Sequence, residues 1–492
     1  MTSTSSLPSQ VDVLIIGAGF GGIGLGVRLL QTGRTDFAIV EKAAEVGGCW
    51  RDNTYPGAAC DVPSHLYSFS FAPNTAWSRR YAPQAEIHAY IKACVTRFSL
   101  SSHIHTGCEV ASAIYDEGKQ RWQVVMLDGS TVSARVLVSA CGQLNRPAWP
   151  TITGAEHFAG VAFHSAQWRH DVDLRGKRVA VIGAGASAIQ FVPQLVQQAA
   201  HVTVFQRTAP YVIAKPDIAY TQAQQQRWQR WPWWQRLSRK VQYLAHESRA
   251  LAFVKWPWLM KFMRFQFTQH LQRQVADADL RAKLTPDYPL GCKRILISND
   301  YYPALTRSNA ALETLPISQI TPHGVQTADG REHVADVLIY GTGFAATEFL
   351  APMQIRGRAG LELTQAWRGG AEAFKGLTVA GFPNFFLLYG PNTNLGHSSI
   401  IYMLESQFNY VLSALEQMQR LGISTLEVKA APQAQFNQAL TAALQGTVWA
   451  QGCSSWYINE SGKQTNNWPG FTFSYRRQTR RLELNDYECT FA

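Results

Sequence analysis

Residues 158–188 read FAGVAFHSAQWRHDVDLRGKRVAVIGAGASA. The second half is an apolar run, Val179 to Ile182, entering Gly183-x-Gly185-x-x-Ala188. A strand that runs into such a turn and then a helix binds a nucleotide. This one lies in the middle of the chain. An earlier one stands near the start, so the chain is expected to hold two dinucleotides.

The earlier turn follows the apolar run Val11 to Ile16 and reads Gly17-x-Gly19-Phe20-x-Gly22, with a helix-like stretch after it. Glycines there allow a tight turn and close backbone approach to a pyrophosphate, and the helix N-terminus supplies N–H groups. A second strand, Phe37 to Val40, ends at Glu41, where an acid suits a ribose hydroxyl. After the second turn the strand HVTVF ends in Gln206-Arg207-Thr208. An acid at that place would repel a 2′-phosphate, whereas Arg207 pairs with one. Site one therefore suits FAD and site two NADPH, although Arg207 taken alone is also an ordinary surface arginine.

The bulk numbers fit a large globular protein. The chain has 492 residues and a formal charge of +11 (45 basic minus 34 acidic), which suits two or three domains and anionic partners. No nucleic-acid recognition motif accompanies the charge, so nucleic acid is not expected. The opening MTSTSSLPSQ is polar and unlike a signal peptide. No apolar run is long enough to span a bilayer. The eight cysteines are scattered, with no metal spacing, so no metal is expected. They read as reduced thiols of a cytoplasmic protein, and Cys49 and Cys60 lie too far apart for a redox disulfide pair.

The run RDNTYPGAACDVPSHLYSFSF (51–71) reads as a long functional loop. On chemistry alone its Asp61 could equally cap a turn. Residues 85–98 suit a helix, and strands are expected near 108–115 and 121–127, with Asp128-Gly129 as a hairpin turn. Residues 221–275 hold six tryptophans and about ten bases against one acid, Glu247. Contact with an anionic membrane surface is one reading. The preferred one is a set of short helices, broken at Pro232 and Pro257, whose aromatic faces wall a substrate cavity while the bases face water.

Two nucleotide sites in this order resemble the class B flavin-dependent monooxygenases. Phe158-x-Gly160-x-x-x-His164-x-x-x-Trp168 is similar to the signature of the type I Baeyer–Villiger branch. Arg169 stands where that branch usually has Pro or Asp. Gly47-Gly48-x-Trp50, Tyr55-Pro56-Gly57 and Asp61 match a second signature. The likeness extends through GCKRILISNDYYPAL, LIYGTGF, GPNTNLGHSS and GCSSWY, and covers nearly the whole chain apart from residues 209–291.

The resemblance implies an α/β fold of two Rossmann-like dinucleotide-binding domains, for FAD and NADP, with a helical insertion. The FAD domain would be discontinuous, 1–150 and 346–492; the NADP domain 151–208 and 292–345; the insert 209–291. It implies that Gly17, Gly19, Phe20, Gly22, Glu41, Gly48, Trp50, Asp61, Tyr67 and Val110 contact FAD. Gly183, Gly185, Ser187, Arg207, Thr208 and Lys293 would hold NADPH, with Trp456 reaching its ribose from a C-terminal loop. Arg294 would be the active-site arginine, against the cofactors and oriented by Asp61. His164 would be structural. The implied activity is NADPH- and O2-dependent insertion of oxygen beside a ketone carbonyl through a C4a-peroxyflavin, giving an ester or lactone. N- or S-oxygenation is the same-fold alternative, and a membrane-associated flavoprotein without oxygenase turnover a remote one.

Overall fold

The computed structural model describes residues 7–450, 452, 457–459 and 461–491. Two sheets organise it. In the first, β1 (Gln10–Ile16), β2 (Phe37–Glu41) and β3 (Ile104–Thr106) run parallel. β6 (Thr131–Ser139) flanks β1 on the other side, also parallel. β4 (Val110–Asp116), β5 (Arg121–Met126) and β6 form an antiparallel meander. Its second turn is at Asp128-Gly129, where Gly129 has φ +86° and its N–H bonds to Met126 O. Two late strands return to this sheet: Gln354–Arg356 beside β4 and Phe385–Leu387 beside β6. β1 reads as an unbroken apolar run because both of its faces are covered: Leu14 and Ile15 are fully buried, in cores on opposite sides of the sheet.

The second sheet is wholly parallel, ordered 310–313, β9 (His201–Phe205), β8 (Arg178–Ile182), 337–340, β7 (Val161–His164). Helices lead from the two glycine turns, α1 (Phe20–Gln31) after β1 and α4 (Ala188–Leu195) after β8. Between them come α2 (Cys49–Asp52) and α3 (Gln84–Arg97). α4 ends at Leu195, with Pro193 inside it.

The insert is helical: α5 (Gln222–Arg230), α6 (Pro232–Ala250) and α7 (Met260–Gln274). Pro232 takes the first position of α6, where its missing N–H costs nothing. α6 is pinned by polar bonds: Arg239 Nη1 donates to His65 O and Ser68 O, both at 2.7 Å, and Glu247 accepts from Thr472 N and Oγ1. The tryptophans depart from the preferred sequence reading. Trp228 is buried, but Trp231, Trp233, Trp234, Trp256 and Trp258 face outward together with the bases. No helix among the described residues is long and apolar enough to cross a membrane.

One cysteine corrects the expectation of reduced thiols. Cys49, Cys60, Cys94, Cys108, Cys141 and Cys489 are free, whereas Cys292 is disulfide-bonded. Such a pairing is made by tertiary proximity and leaves no spacing signal in the sequence.

Four histidines are buried without charge. Burial pushes His65, His164 and His246 down to about 4 and His397 to about 3, with help from nearby arginines at His65, His246 and His397. All four are at most 5 % exposed. The unfolded chain takes up protons at these rings below about pH 6.5 and the folded chain does not until near pH 4. Their contribution to stability is therefore complete at neutral pH and declines as pH falls through that window, by up to about 1.4 kcal/mol per ring per pH unit. Thermal unfolding should show a Tm several degrees lower at pH 5.5 than at pH 7.5. Equal values would show that the rings are not held neutral.

Candidate active site

The first turn is shaped by backbone contact. A Cβ on Gly22 would fall 1.9 Å from Gly17 O, so only glycine lets α1 start this close to the strand end. α1 begins after Gly19 and α4 after Ser187, and neither N-cap makes a side-chain capping bond. The first-turn N–H groups at both places suit the oxygens of a pyrophosphate. Glu41 is buried; its Oε2 accepts from Ala18 N at 2.9 Å and its Oε1 from Ala43 N and Arg51 Nη1. It thus braces the glycine turn itself. Cys108 N bonds to Glu41 O, which sets Val110, the first residue of β4, near the end of β2.

The Gly47-Gly48-x-Trp50 segment closes on this turn through Gly47 N to Ala18 O at 2.9 Å. Gly48 lies against Gly19. Trp50 Nε1 donates to the Tyr67 hydroxyl at 3.1 Å, and Phe20 meets Tyr67 edge-on. Phe20, Gly48, Trp50 and Tyr67 are therefore gathered beside the first glycine turn.

The loop then crosses to the second sheet. The Tyr55 hydroxyl donates to Gln190 Oε1 at 3.0 Å, and Gln190 Nε2 donates to Ala59 O at 3.0 Å. Gln190 belongs to α4, so the second site's helix holds the first site's loop. Two residues past Ala59, Asp61 meets Arg294, 233 residues away in sequence. Arg294 Nε and Nη2 both donate to Asp61 Oδ2, at 2.9 and 2.5 Å. Asp61 raises the guanidinium pKa further, against the opposing effect of burial. The buried hydroxyls of Tyr389 and Tyr457 are close enough to interact with this charge, and burial raises both.

A cavity of about 610 Å³ ends on this pair. Its walls include His246, Phe253, Phe262, Met263 and Phe265 of the insert and Leu395 of the C-terminal part. Phenylalanines and a methionine of the insert, not its tryptophans, supply the aromatic and apolar lining.

At the second turn Gly185 and Ala186 are exposed, with Ser187 beside them. Arg207 is exposed at the end of β9, followed by half-buried Thr208. Lys293 lies near Arg207, and after burial the arginine's charge is the main cause lowering the lysine pKa. Two cations set so close suit an anion between them. Trp456 lies outside the described residues.

The signature segment touches neither the Asp61–Arg294 pair nor the cavity. Trp168 packs on Phe163 and on Phe191 of α4, and Phe191 packs on Tyr55. His170 Nε2 meets Thr54 Oγ1 at 2.9 Å. His164 is fully buried against Trp149 and Phe344, and its Nδ1 accepts from Ala166 N. Those neighbours lie on two chain crossings joined by Ala148 N to Gly343 O and Thr342 Oγ1 to Ala148 O. Arg169 is exposed and pairs with Asp171, so that position bears on no site.

Sequence reasoning missed Gln190, Tyr389 and the stitch between residues 392–394 and 464–468. There Asn394 Nδ2 donates to Asn467 Oδ1 at 2.7 Å and Asn392 Nδ2 to Gln464 O. The two Asn-rich runs, NTN at 392–394 and TNN at 465–467, were the available signal.

Comparison with known proteins identifies the family. Residues 14–227 match the pyridine nucleotide-disulphide oxidoreductase family model; the free thiols at Cys49 and Cys60 are not a redox disulfide. The chain is 45 % identical over 489 residues to a Baeyer–Villiger monooxygenase of Pseudomonas aeruginosa, covering 99 % of this chain and 93 % of that one. It is 43 % identical to a Streptomyces coelicolor enzyme of the same name, covering 99 % and 94 %. Among solved structures, an oxidized steroid monooxygenase bound to NADP superposes with a TM-score of 0.88 at 30 % identity, covering 98 % and 100 %. Cyclohexanone monooxygenase from Rhodococcus sp. Phi1 bound to NADP+ gives 0.88 at 28 %, covering 99 % and 100 %. The chain belongs to the Baeyer–Villiger monooxygenase family and is an FAD-containing, NADPH-dependent enzyme.

The bridge between the two sites can be tested directly. At Gly57 (φ +82°) a Cβ would fall 2.5 Å from Gln190 O. Gly57→Ala should push the loop off α4 and lower stability by about 1–3 kcal/mol. A melt unchanged from wild type would show that the loop does not depend on this contact.

Proposed function

We propose that Asp61 and Arg294 are the catalytic pair of this monooxygenase, acting on an apolar ketone held in the cavity that ends on them. The observation that carries the reading is the ion pair itself, made where the first site's loop, the second site's helix and the cavity converge. FAD reduced by NADPH supplies activated oxygen when bound. Arg294 is a fixed cation that does not give up its proton at working pH, so it can hold a negatively charged oxygen without quenching it. Asp61 takes Nε and Nη2 and leaves Nη1 unused by the pair. Nη1 can donate to the ketone oxygen and support the charge that develops there as the carbonyl is attacked. Burial keeps the Tyr389 and Tyr457 hydroxyls protonated beside it. The apolar part of the lining, Phe253, Met263 and Leu395 among it, lowers the local polarity, which strengthens each of these interactions. The product is an ester or lactone.

We assign FAD to the first turn, with Gly17, Gly19, Phe20, Gly22, Gly48, Trp50, Asp61 and Tyr67 around it and Glu41 and Val110 at its far end. NADPH is assigned to the second, with Gly183, Gly185, Ser187, Arg207, Thr208, Lys293 and Arg294. The uncapped starts of α1 and α4 and the clustered cations support this fit. The corresponding division is 1–150 with 346–492, 151–208 with 292–345, and 209–291 as the insert. The return of strands 354–356 and 385–387 to the first sheet supports it.

Arg294→Ala should leave flavin reduction by NADPH observable in stopped flow and lower ester formation at least about a hundredfold. Normal ketone oxidation by that variant would remove the proposed role. Arg207→Ala should raise the KM for NADPH roughly ten- to a hundredfold, the loss of a charge-assisted hydrogen bond, with little change for NADH. Equal effects on the two would refute the 2′-phosphate contact.

A further inference from the structure

Helix α6 is built inside out. Its protein-facing side is polar: Gln235, His246 and Glu247 are buried, and Arg239 points inward to backbone carbonyls. Its outward stripe is apolar. Trp233, Leu237, Val241 and Leu244 recur at helical spacing and are all exposed. The exposed series continues beyond the helix through Trp256, Trp258, Phe262 and Phe265, with Trp258 and Phe262 at 64 and 65 %. Of the twenty strongly exposed large apolar side chains among the described residues, ten fall within 231–265. A patch of that density on a folded surface marks an interaction site.

Charge says what covers it. Nine bases of residues 221–275 are exposed: Arg227, Arg230, Arg236, Lys240, Arg249, Lys255, Lys261, Arg264 and Arg273. None makes an ion pair among the described residues. The one acid of the segment, Glu247, is buried and bonded to Thr472. Eight of the nine lie within 227–265, so a two-fold dimer through this face would set those unpaired cations against a second set. Tryptophan, phenylalanine and leucine interleaved with lysine and arginine instead match the two layers of a membrane surface, acyl boundary and anionic headgroup.

We propose that the outer face of residues 227–265 docks on an anionic phospholipid bilayer, lying in its interface without crossing it. Phe262 and Phe265 belong both to this face and to the cavity wall. The docked enzyme would therefore open its cavity toward the lipid and take apolar ketones from it. The docking stands independently of the chemistry assigned to Arg294.

The test uses the full-length, FAD-loaded enzyme in flotation with vesicles of phosphatidylcholine alone or with phosphatidylserine. The enzyme should float with the phosphatidylserine vesicles and be released as salt approaches about 0.5 M. Trp233→Ser/Leu237→Ser/Trp258→Ser should weaken binding at least about tenfold, and so should Arg236→Glu/Lys240→Glu. Both should keep the wild-type melt and turnover of a water-soluble ketone without vesicles. If the triple variant does not fold, the charge-reversal pair decides. Failure of the wild type to float, or flotation of the folded variants like wild type, would overturn the proposal. So would a wild-type dimer in sedimentation that the substitutions dissociate while the wild type ignores vesicles, which would assign the face to a second copy.

Discussion

The Asp61–Arg294 pair is the constraint on which the rest of the arrangement turns. Neither partner has a local reason to be where it is. Asp61 lies within the loop that follows α2. Arg294 precedes the short strand 296–297, which pairs with residues 212–213 at the start of the insert. Their two bonds form only if the loop, α4 and that strand keep their positions together. A charge left without its partner in a part-buried place is costly, so the pair also reports on whether the two sites are in register.

What keeps register is the segment from Phe158 to His170, which touches neither that pair nor the cavity. It braces three joints. His164 sits behind the two chain crossings between the sheets. Trp168 presses on Phe191, and through it on Tyr55. His170 reaches Thr54. A neutral imidazole suits the first joint, because a charged ring there would have no counter-charge. The spacing of the segment reflects one strand and one turn that place three side chains on three separate partners. That explains why Arg169, which faces water, can depart from the family pattern without consequence for the site.

The sheets were legible in the sequence because periodicity and glycine turns are local. The runs at Val11–Ile16, Val179–Ile182 and His201–Phe205 needed no tertiary information to be read as strands, and Glu41 and Arg207 follow from counting along them. Asp61 was ambiguous from chemistry alone, since a carboxylate in a loop caps turns as readily as it orients an arginine. Only the resemblance singled it out. Gln190 was invisible for a different reason. It sits on an amphipathic helix like any polar residue, and its importance comes from the loop that happens to land on it. The 392–394 to 464–468 stitch is likewise a contact between distant segments, which no window of sequence contains.

The insert shows where composition misleads and geometry decides. Six tryptophans among ten bases suggested aromatic residues turned inward around a cavity. The folded chain instead spends its inward positions on hydrogen bonds: Gln235 to Asn74 O, Arg239 to the 65–68 backbone, Glu247 to Thr472. Those bonds fix the rotation of α6, and the rotation forces Trp233, Leu237, Val241 and Leu244 out. Had the helix been held by apolar packing, a turn of about 100° per residue would have left either face free to dock inward. Being held by three specific polar anchors, it has one orientation, and that orientation exposes the apolar stripe. The exposed surface is thus a consequence of how the insert is attached, and the cavity mouth at Phe262 and Phe265 lies on the same surface because α7 follows within ten residues of the end of α6.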